Sequence, residues 1–294
     1  MQISGATIIR NGVKLGYPFA ESIKSILPIC SEFIVCVGNS DDGTREKVEA
    51  INDKKIKIID TTWDEKKRLG GEILSEQTNI ALSKCFGDWI FYIQSDEVVN
   101  EKDYDKIVSA IEKAETKNFV DGIIFNYLHF YGSYSTIQTG RNWYKQEVRL
   151  VRNFRGIVSH GDAQGFRKER RKLCVIESGA RIYHYCWARP PEVMAKKIKD
   201  FHKLWHEDKW LNNNCLDKDV CDYFSDLGNL KNFIGEHPYV MKEFIKNDSS
   251  AFIEQCRKRY LSERNFIKAI KDFMRSYPFG IEFGRHKNFR LIKL

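Results

Sequence analysis

Trp89-Ile-Phe-Tyr-Ile-Gln-Ser-Asp-Glu-Val-Val99 is the stretch whose reading decides the fold. Trp89 to Ile93 is apolar, aromatic or β-branched, which predicts a central strand. Gln94, Ser95, Asp96 and Glu97 stand where such a strand leaves its sheet. In open α/β sheets, ligands bind beyond the carboxyl ends of the strands. Two carboxylates at such an edge repel each other unless solvent, a cation or a basic group offsets the charge. A hard divalent metal held on phosphate oxygens would do so. The alternative is a plain polar strand end followed by a helix cap.

Outward from this strand the first hundred residues alternate between the two periods. Ala6–Ile9, Phe33–Val37 and Ile56–Ile59 read as strands. Pro18–Leu27, Glu46–Ile51, Glu72–Lys84 and 101–115 read as helices, the last with Tyr104, Ile107, Val108 and Ile111 on one face. Short connections between them imply right-handed crossovers and a largely parallel sheet. Beyond residue 120 the strands Gly122–Tyr131, Glu147–Arg152 and Ala180–His184 follow without comparable helices, which predicts a mixed sheet edge. Glu147 and Arg149 share one strand face and are expected to pair. From Pro190 the chain reads as mainly helical, with Met194, Ile198, Phe201 and Trp205 as a core stripe.

At 294 residues the chain can bury a large core, and its 42% hydrophobic content is that of a soluble globular protein. No window approaches the roughly 18 continuous apolar residues of a spanning helix. No secretory leader is visible, so a cytoplasmic location is expected. None of the eight cysteines forms a CxxC pair, so free buried thiols are expected, with disulfides or structural zinc disfavoured. Residues 251–294 hold eleven Lys/Arg against four Asp/Glu, so +7 of the net +8 lies there. Phe252, Tyr260, Phe266, Phe273, Tyr277, Phe279, Phe283 and Phe289 interleave with that charge. Such a tail suits an anionic membrane face, a phosphorylated acceptor, homo-oligomer contacts or a packed helix with a solvated side. No nucleic-acid-binding motif accompanies it, which argues against sequence-specific nucleic-acid binding.

The turn Val37-Gly-Asn-Ser-Asp-Asp-Gly-Thr44 follows the second strand and opens a helix. Gly38 permits close approach to the backbone, and Ser40, Asp41 and Asp42 can cap the helix. These polar atoms share the sheet edge of Asp96 if both strands are parallel. Neither GxGxxG nor GxxxxGK[ST] occurs, so dinucleotide binding of the Rossmann kind and P-loop hydrolysis are disfavoured.

The segments Thr7-Ile-Ile-Arg-Asn11, Phe33 to Thr44, Gln77-Thr-Asn-Ile-Ala81 and Trp89 to Glu97 together resemble bacterial family-2 glycosyltransferases of the GT-A fold. The resemblance is clear over residues 1–100 and extends to about 200. It implies an α/β, Rossmann-like three-layer sandwich with a mixed, mainly parallel sheet over 1–189, and a mainly helical basic extension over 190–294. In that family a strand-four Asp-x-Asp holds metal and sugar diphosphate. Here Gln94 stands at the first position, Asp96 at the second, and Glu97 follows. The resemblance therefore places Mn2+ or Mg2+ on Asp96, with His184 completing the shell. Arg10, Asn11, Gly38, Asn39, Asp41, Gln77 and Ser95 would frame the nucleotide, with Arg189 as a diphosphate clamp. Asp162, in Ser159-His-Gly-Asp-Ala-Gln-Gly165, matches the position of the general base; its other reading is a turn-forming Asp.

The function implied is metal-dependent, inverting transfer of a sugar from a nucleotide sugar, a UDP-sugar first, to a hydroxyl of a glycan or lipid-linked acceptor. Peripheral contact with the inner membrane face would come from the basic C-terminal region, and residues 131–142 are a candidate acceptor loop or lid. Two other readings are a nucleotide-sugar pyrophosphorylase and a non-catalytic carbohydrate- or membrane-surface-binding module. The first lacks its Gly-rich basic loop, because Ile9-Arg-Asn-Gly-Val-Lys-Leu-Gly16 stands there.

Overall fold

The computed structural model describes residues 1–67, 69–203, 224, 227–246, 250–263, 265–276 and 288–293. The first half alternates β1 (Ile3–Ile9), α1 (Phe19–Ile26), β2 (Glu32–Val37), α2 (Thr44–Glu49), β3 (Ile56–Asp60), α3 (Glu72–Ser83), β4 (Trp89–Tyr92), β5 (Glu97–Val99) and α4 (Tyr104–Glu115). Strands then dominate: β6 (Gly122–Tyr131), β7 (Thr136–Gln138), β8 (Gln146–Arg152), β9 (Ile157–His160), β10 (Gly165–Lys168), β11 (Arg171–Lys172) and β12 (Cys174–Trp187). The C-terminal part adds α5 (Pro191–Lys203), β13 (Leu230–Asn232), α6 (Ser250–Ser262), α7 (Phe266–Arg275) and β14 (Arg290–Leu291).

Each central strand is buried on both faces, which is why its sequence reads as a continuous apolar run rather than as an alternation. On β2, Phe33, Val35 and Val37 enter one cluster with α1 and α4, whereas Ile34 and Cys36 enter another with α3. On β4, Trp89 and Phe91 join the first cluster, and Ile90 and Tyr92 the second. Full burial of one such side chain contributes about 1.5–3 kcal/mol. These two clusters are the interfaces of a three-layer α/β sandwich. β1 begins at Ile3, before the Ala6 read from the sequence, and Gly5 within it packs where a side chain would collide with the Phe33 ring.

The sheet runs β13-β7-β6-β8-β4-β1-β2-β3, with β12 on the other side of β6 and joined by β5 and β14. β1 pairs in parallel with β2 and β4, and β2 with β3, so their carboxyl ends share one edge. The expected mixed edge is antiparallel β8, set between β4 and β6. β12 is longer than the strand read from Ala180. It starts at Cys174 and absorbs a bulge between Glu177 and Arg181, where Gly179 takes φ +71°. Segment 131–142 contributes β7 to the sheet, with Tyr131 and Tyr134 buried.

In the C-terminal part, β13 pairs with β7 and β14 with β12, so two short strands accompany the helices. Met194 and Ile198 are buried as the stripe predicts; the Phe201 side chain and Trp205 lie outside the described residues. Phe289 is buried, and Phe252 is half-buried against Phe224. The Tyr260 hydroxyl donates to Asp272, whereas Phe266 and Phe273 are exposed. Tyr277, Phe279 and Phe283 lie outside the described residues. Cys30, Cys36, Cys85, Cys174 and Cys186 are free, but Cys256 is disulfide-bonded, which corrects the expectation of thiols throughout. None of the eight cysteines lies in a CxxC pair, so a bridge at Cys256 leaves no local spacing signature. Among the described residues no helix is long and apolar enough to cross a membrane.

The expected Glu147–Arg149 pair is replaced by a different one. Arg149 donates through Nε and Nη2 to the two carboxylate oxygens of Glu97, both at 2.7 Å, with neither side chain exposed. The Tyr127 hydroxyl and the Gln94 amide also donate to Glu97. Two residues on one strand face lie side by side, but a fork-shaped guanidinium bonds a carboxylate best end-on, and β5 presents Glu97 that way. Removing one member of a fully buried pair strands the other charge. Arg149→Leu is therefore expected to lower unfolding stability by about 3–5 kcal/mol, while Arg149→Leu with Glu97→Leu recovers most of it. Urea melts that leave the single variant as stable as wild type would refute the charge-stranding account.

Candidate active site

The site grows from the end of β4. A tight turn, with the Glu97 amide donating to the Gln94 carbonyl, carries the chain into β5. β5 runs antiparallel to β12 with Glu97 opposite His184, and the Tyr185 amide donates to the Asp96 carbonyl. Side chains alternate along β12. Tyr183 and Tyr185 therefore stack on Phe130 on one side, leaving His184 and Cys186 on the other, beside Asp96. His184 Nε2 lies 3.6 Å from Asp96 Oδ1. At the other oxygen, Oδ2, stand Lys197 Nζ at 3.3 Å and Arg189 Nη2 at 3.4 Å.

This cluster explains how a carboxylate survives at 7% exposure. Burial alone would raise the Asp96 pKa, but Lys197, His184 and Arg189 together hold it well below the usual carboxylate range. Burial likewise opposes a charged His184, yet Cys186 and Asp96 push its pKa up to about 10. The Cys186 thiol, also penalised by burial, is pulled below its ordinary value by Lys197 and His184. Cys85 and Cys36 lack such a balance, and burial pushes them up to about 12 and about 11. Thiolate fraction governs alkylation, and Cys186 lines the cavity described next. Iodoacetamide near neutral pH is thus expected to label Cys186 well ahead of Cys36 and Cys85, read by peptide mass spectrometry. Equal labelling would count against the ion cluster.

Asp96, His184, Cys186 and Lys197 face a cavity of about 550 Å³ at the edge where β1 and β4 end. Asp162 lines the same cavity from the β9–β10 turn, where Gly161 and Ala163 both take positive φ. Its Oδ1 also accepts the Gln164 amide at 3.2 Å, so the turn reading and the cavity-facing reading hold together. Tyr131, Asn142, Trp143, Tyr144 and Trp187 close the side nearest β6 and β12.

On the opposite side Arg10, Ser95 and Trp63 line the cavity. The Ser95 hydroxyl donates to the Ile8 carbonyl, and the Arg10 guanidinium sits 5.5 Å from the Trp63 ring centroid. Gly38 backs that ring so closely that any side chain there would strike Trp63 Nε1. Asn39 is exposed and accepts the Trp63 amide, so it anchors the loop. Asn11, at φ +52°, donates its amide to Ser40 Oγ. Buried polar atoms lacking a hydrogen-bond partner include Asn11 Oδ1, Trp63 Nε1 and Gln77 Oε1, and such atoms are unusual without a ligand or water. Asp41 is exposed, and its neighbour Asp42 accepts from the Lys14 and Thr44 amides. Arg189 does not line the cavity. It is 1% exposed, donates to the Gly16 and Cys186 carbonyls, and lies 4.4 Å from the Tyr17 ring centroid. Glu97 turns away to Arg149 and is not available to a metal beside Asp96.

Sequence reasoning passed over Lys197, Cys186 and Trp63. Cys186 was accessible from spacing, since i and i+2 share a strand face. Lys197 stands three residues after Met194 and one before Ile198, on the edge of a buried stripe, where a lysine needs a partner. Trp63 carried no local signal.

Asp96, His184 and Cys186 offer one donor atom each, all within 4.8 Å of one another. One carboxylate, one imidazole and one thiolate suit a borderline divalent ion better than Mg2+, which prefers oxygen ligands throughout. The donor set thus fits a divalent cation.

A mixed α/β sheet whose polar cavity opens beyond the carboxyl ends of its parallel strands has the architecture of GT-A glycosyltransferases. The profile of glycosyl transferase family 2 matches residues 19–174, just over half of the chain, and the chain belongs to that family. Among solved structures, S. aureus TarS aligns over 76% of this chain and 44% of its own, at 15% identity and a TM-score of 0.43. TarS 1–349 in complex with UDP aligns over 76% and 72%, at 13% identity and 0.42. Glucosyl-3-phosphoglycerate synthase from Mycobacterium tuberculosis, in complex with Mn2+, UDP and phosphoglyceric acid, aligns over 44% and 43%, at 17% identity and 0.30. The chain therefore spans less than half of TarS. No curated protein matches it.

Proposed function

We propose that this chain transfers a sugar from a nucleotide-sugar donor, a UDP-sugar first, to a hydroxyl of a glycan or lipid-linked acceptor, with metal assistance and inversion. The transferase unit would be residues 1–189, with 190–294 as an extension whose basic charge favours the cytoplasmic face of a membrane. The observation that carries the reading is one cavity with two carboxylates in different surroundings. Asp96 is buried among cations, whereas Asp162 sits on a turn and, among the described residues, has a backbone amide as its hydrogen-bond partner.

Asp96 holds Lys197 at the cavity wall, where its charge offsets that of a diphosphate. Arg189 braces the same carboxylate from behind. Arg10, Ser95 and Trp63 form the side offered to the nucleoside, whereas Asn11 and Gln77, each with an unmatched buried oxygen, do not line the cavity. Asp162 would take the proton of the attacking hydroxyl as the nucleoside diphosphate leaves from the opposite face of the sugar. Mn2+ or Mg2+ on Asp96 and His184, with Cys186 favouring Mn2+, would supply Lewis-acid stabilisation of the leaving group.

Thermal unfolding against a panel of nucleoside diphosphates and nucleotide sugars tests this. UDP with Mn2+ at about 100 times its Kd is expected to add roughly 2.7 kcal/mol of stability. A panel that shifts nothing, with or without metal, would refute donor binding.

A further inference from the structure

We propose that His129 is a positioning residue that fixes which nitrogen His184 offers to the site. The inference rests on the metal-assisted reading above for its consequence, but not for its geometry. His129 on β6 and His184 on β12 are register partners, and their Nδ1 atoms lie 2.8 Å apart. A contact that short between two ring nitrogens needs one hydrogen, on one ring or the other.

The far side of His129 decides which ring carries it. Its Nε2 lies 2.5 Å from the backbone carbonyl oxygen of Tyr144. A carbonyl oxygen only accepts, so Nε2 bears the hydrogen. A neutral imidazole carries one hydrogen, and on His129 the Tyr144 carbonyl places it on Nε2. Nδ1 of His129 is then an acceptor, and the shared hydrogen belongs to Nδ1 of His184. The remaining nitrogen of His184, Nε2, faces Asp96 Oδ1 at 3.6 Å, beyond direct hydrogen-bond range.

The His129 ring cannot easily turn to offer another edge. Tyr127 stacks on it at 5.4 Å between centroids, Tyr144 packs edge-on at 4.7 Å, and Trp143 lies tilted at 5.0 Å. Because Nδ1 of His184 keeps its hydrogen on His129, the hydrogen that a binding cation displaces is the one on Nε2, so His129 aims that nitrogen as a hydrogen-bonded neighbour does for a metal-binding imidazole. Without that acceptor, His184 is free to carry its hydrogen on Nε2 and present it to the cation.

The test titrates the full chain with Mn2+ by calorimetry and electron paramagnetic resonance, without donor or acceptor. It compares wild type, His129→Asn and His129→Phe. Asn keeps an acceptor oxygen near the place of Nδ1, whereas Phe keeps the ring and removes the acceptor. Phe is expected to weaken Mn2+ binding about 10–100-fold, and Asn to restore it to within a few-fold of wild type. Mn2+ bound equally by the Phe variant, or as weakly by Asn as by Phe, overturns the assignment. So does a wild-type protein that binds no Mn2+. Long-range proton–nitrogen NMR on wild type gives a reading independent of variant folding: His129 Nδ1 should be the unprotonated ring nitrogen, and a protonated Nδ1 overturns the proposal. A protein that shows this pattern but transfers no sugar loses the function proposed above and keeps this one.

Discussion

Asp96→Asn is expected to reduce turnover by about 10³-fold or more and to remove metal-dependent nucleotide binding. The substitution keeps the volume and deletes the charge. Lys197 and Arg189, held at 3.3 and 3.4 Å, then lose their shared counter-charge in a buried setting. Metal stabilisation of a leaving group is worth several kcal/mol, and each 1.36 kcal/mol is about a factor of ten in rate. Turnover, Mn2+-dependent nucleotide affinity and the melting temperature should be measured on the same preparation. A folded Asn variant that turns over near the wild-type rate would end the metal role of Asp96.

Asp162→Asn should behave differently, and the contrast is informative. Its carboxylate accepts one backbone amide in the turn, a bond that an Asn oxygen can retain. The turn should therefore survive, and donor affinity should stay within a few-fold. What disappears is the proton acceptor, for which a loss of about 10²–10⁴-fold in kcat is expected. Single-turnover rates with saturating donor, beside calorimetric donor affinity, separate the two. If affinity collapses while the rate at saturation holds, Asp162 belongs to the donor site and the base lies elsewhere.

The two carboxylates also mark where the sequence was legible. Strands β1, β2 and β4 are short apolar runs buried on both faces, and β3 is a half-buried edge strand. The helices between them carry apolar stripes, so residues 1–100 announced an α/β sheet. Strands of two or three residues, such as β5, β7 and β11, span too few positions to show a period. Asp96 was readable from a strand end, whereas His184 and Asp162 were pointed to by the family resemblance; all three line one cavity. The partner of Arg149 was not, because Glu97 is 52 positions away and the pairing depends on where β5 docks. Lys197 was hidden for the same reason. It is ordinary in its helix, and only the fold carries it 101 positions back to Asp96. His129 read as one more residue of a buried strand until β12 set His184 beside it.

The docking of β12 has a mechanical consequence. A shift of one residue against β5 and β6 would exchange its two faces. His184 and Cys186 would turn into the aromatic stack on Phe130, and the bulky Tyr183 and Tyr185 would swing toward Asp96. No intermediate offset leaves the site partly built, so alignment of this strand acts as an all-or-none assembly step. The irregularities between Glu177 and Arg181 and between His184 and Trp187 sit on either side of the register pairs Arg181 to His184. They work as stops that prevent the strand from sliding, so residues that never touch substrate determine whether there is an active site at all.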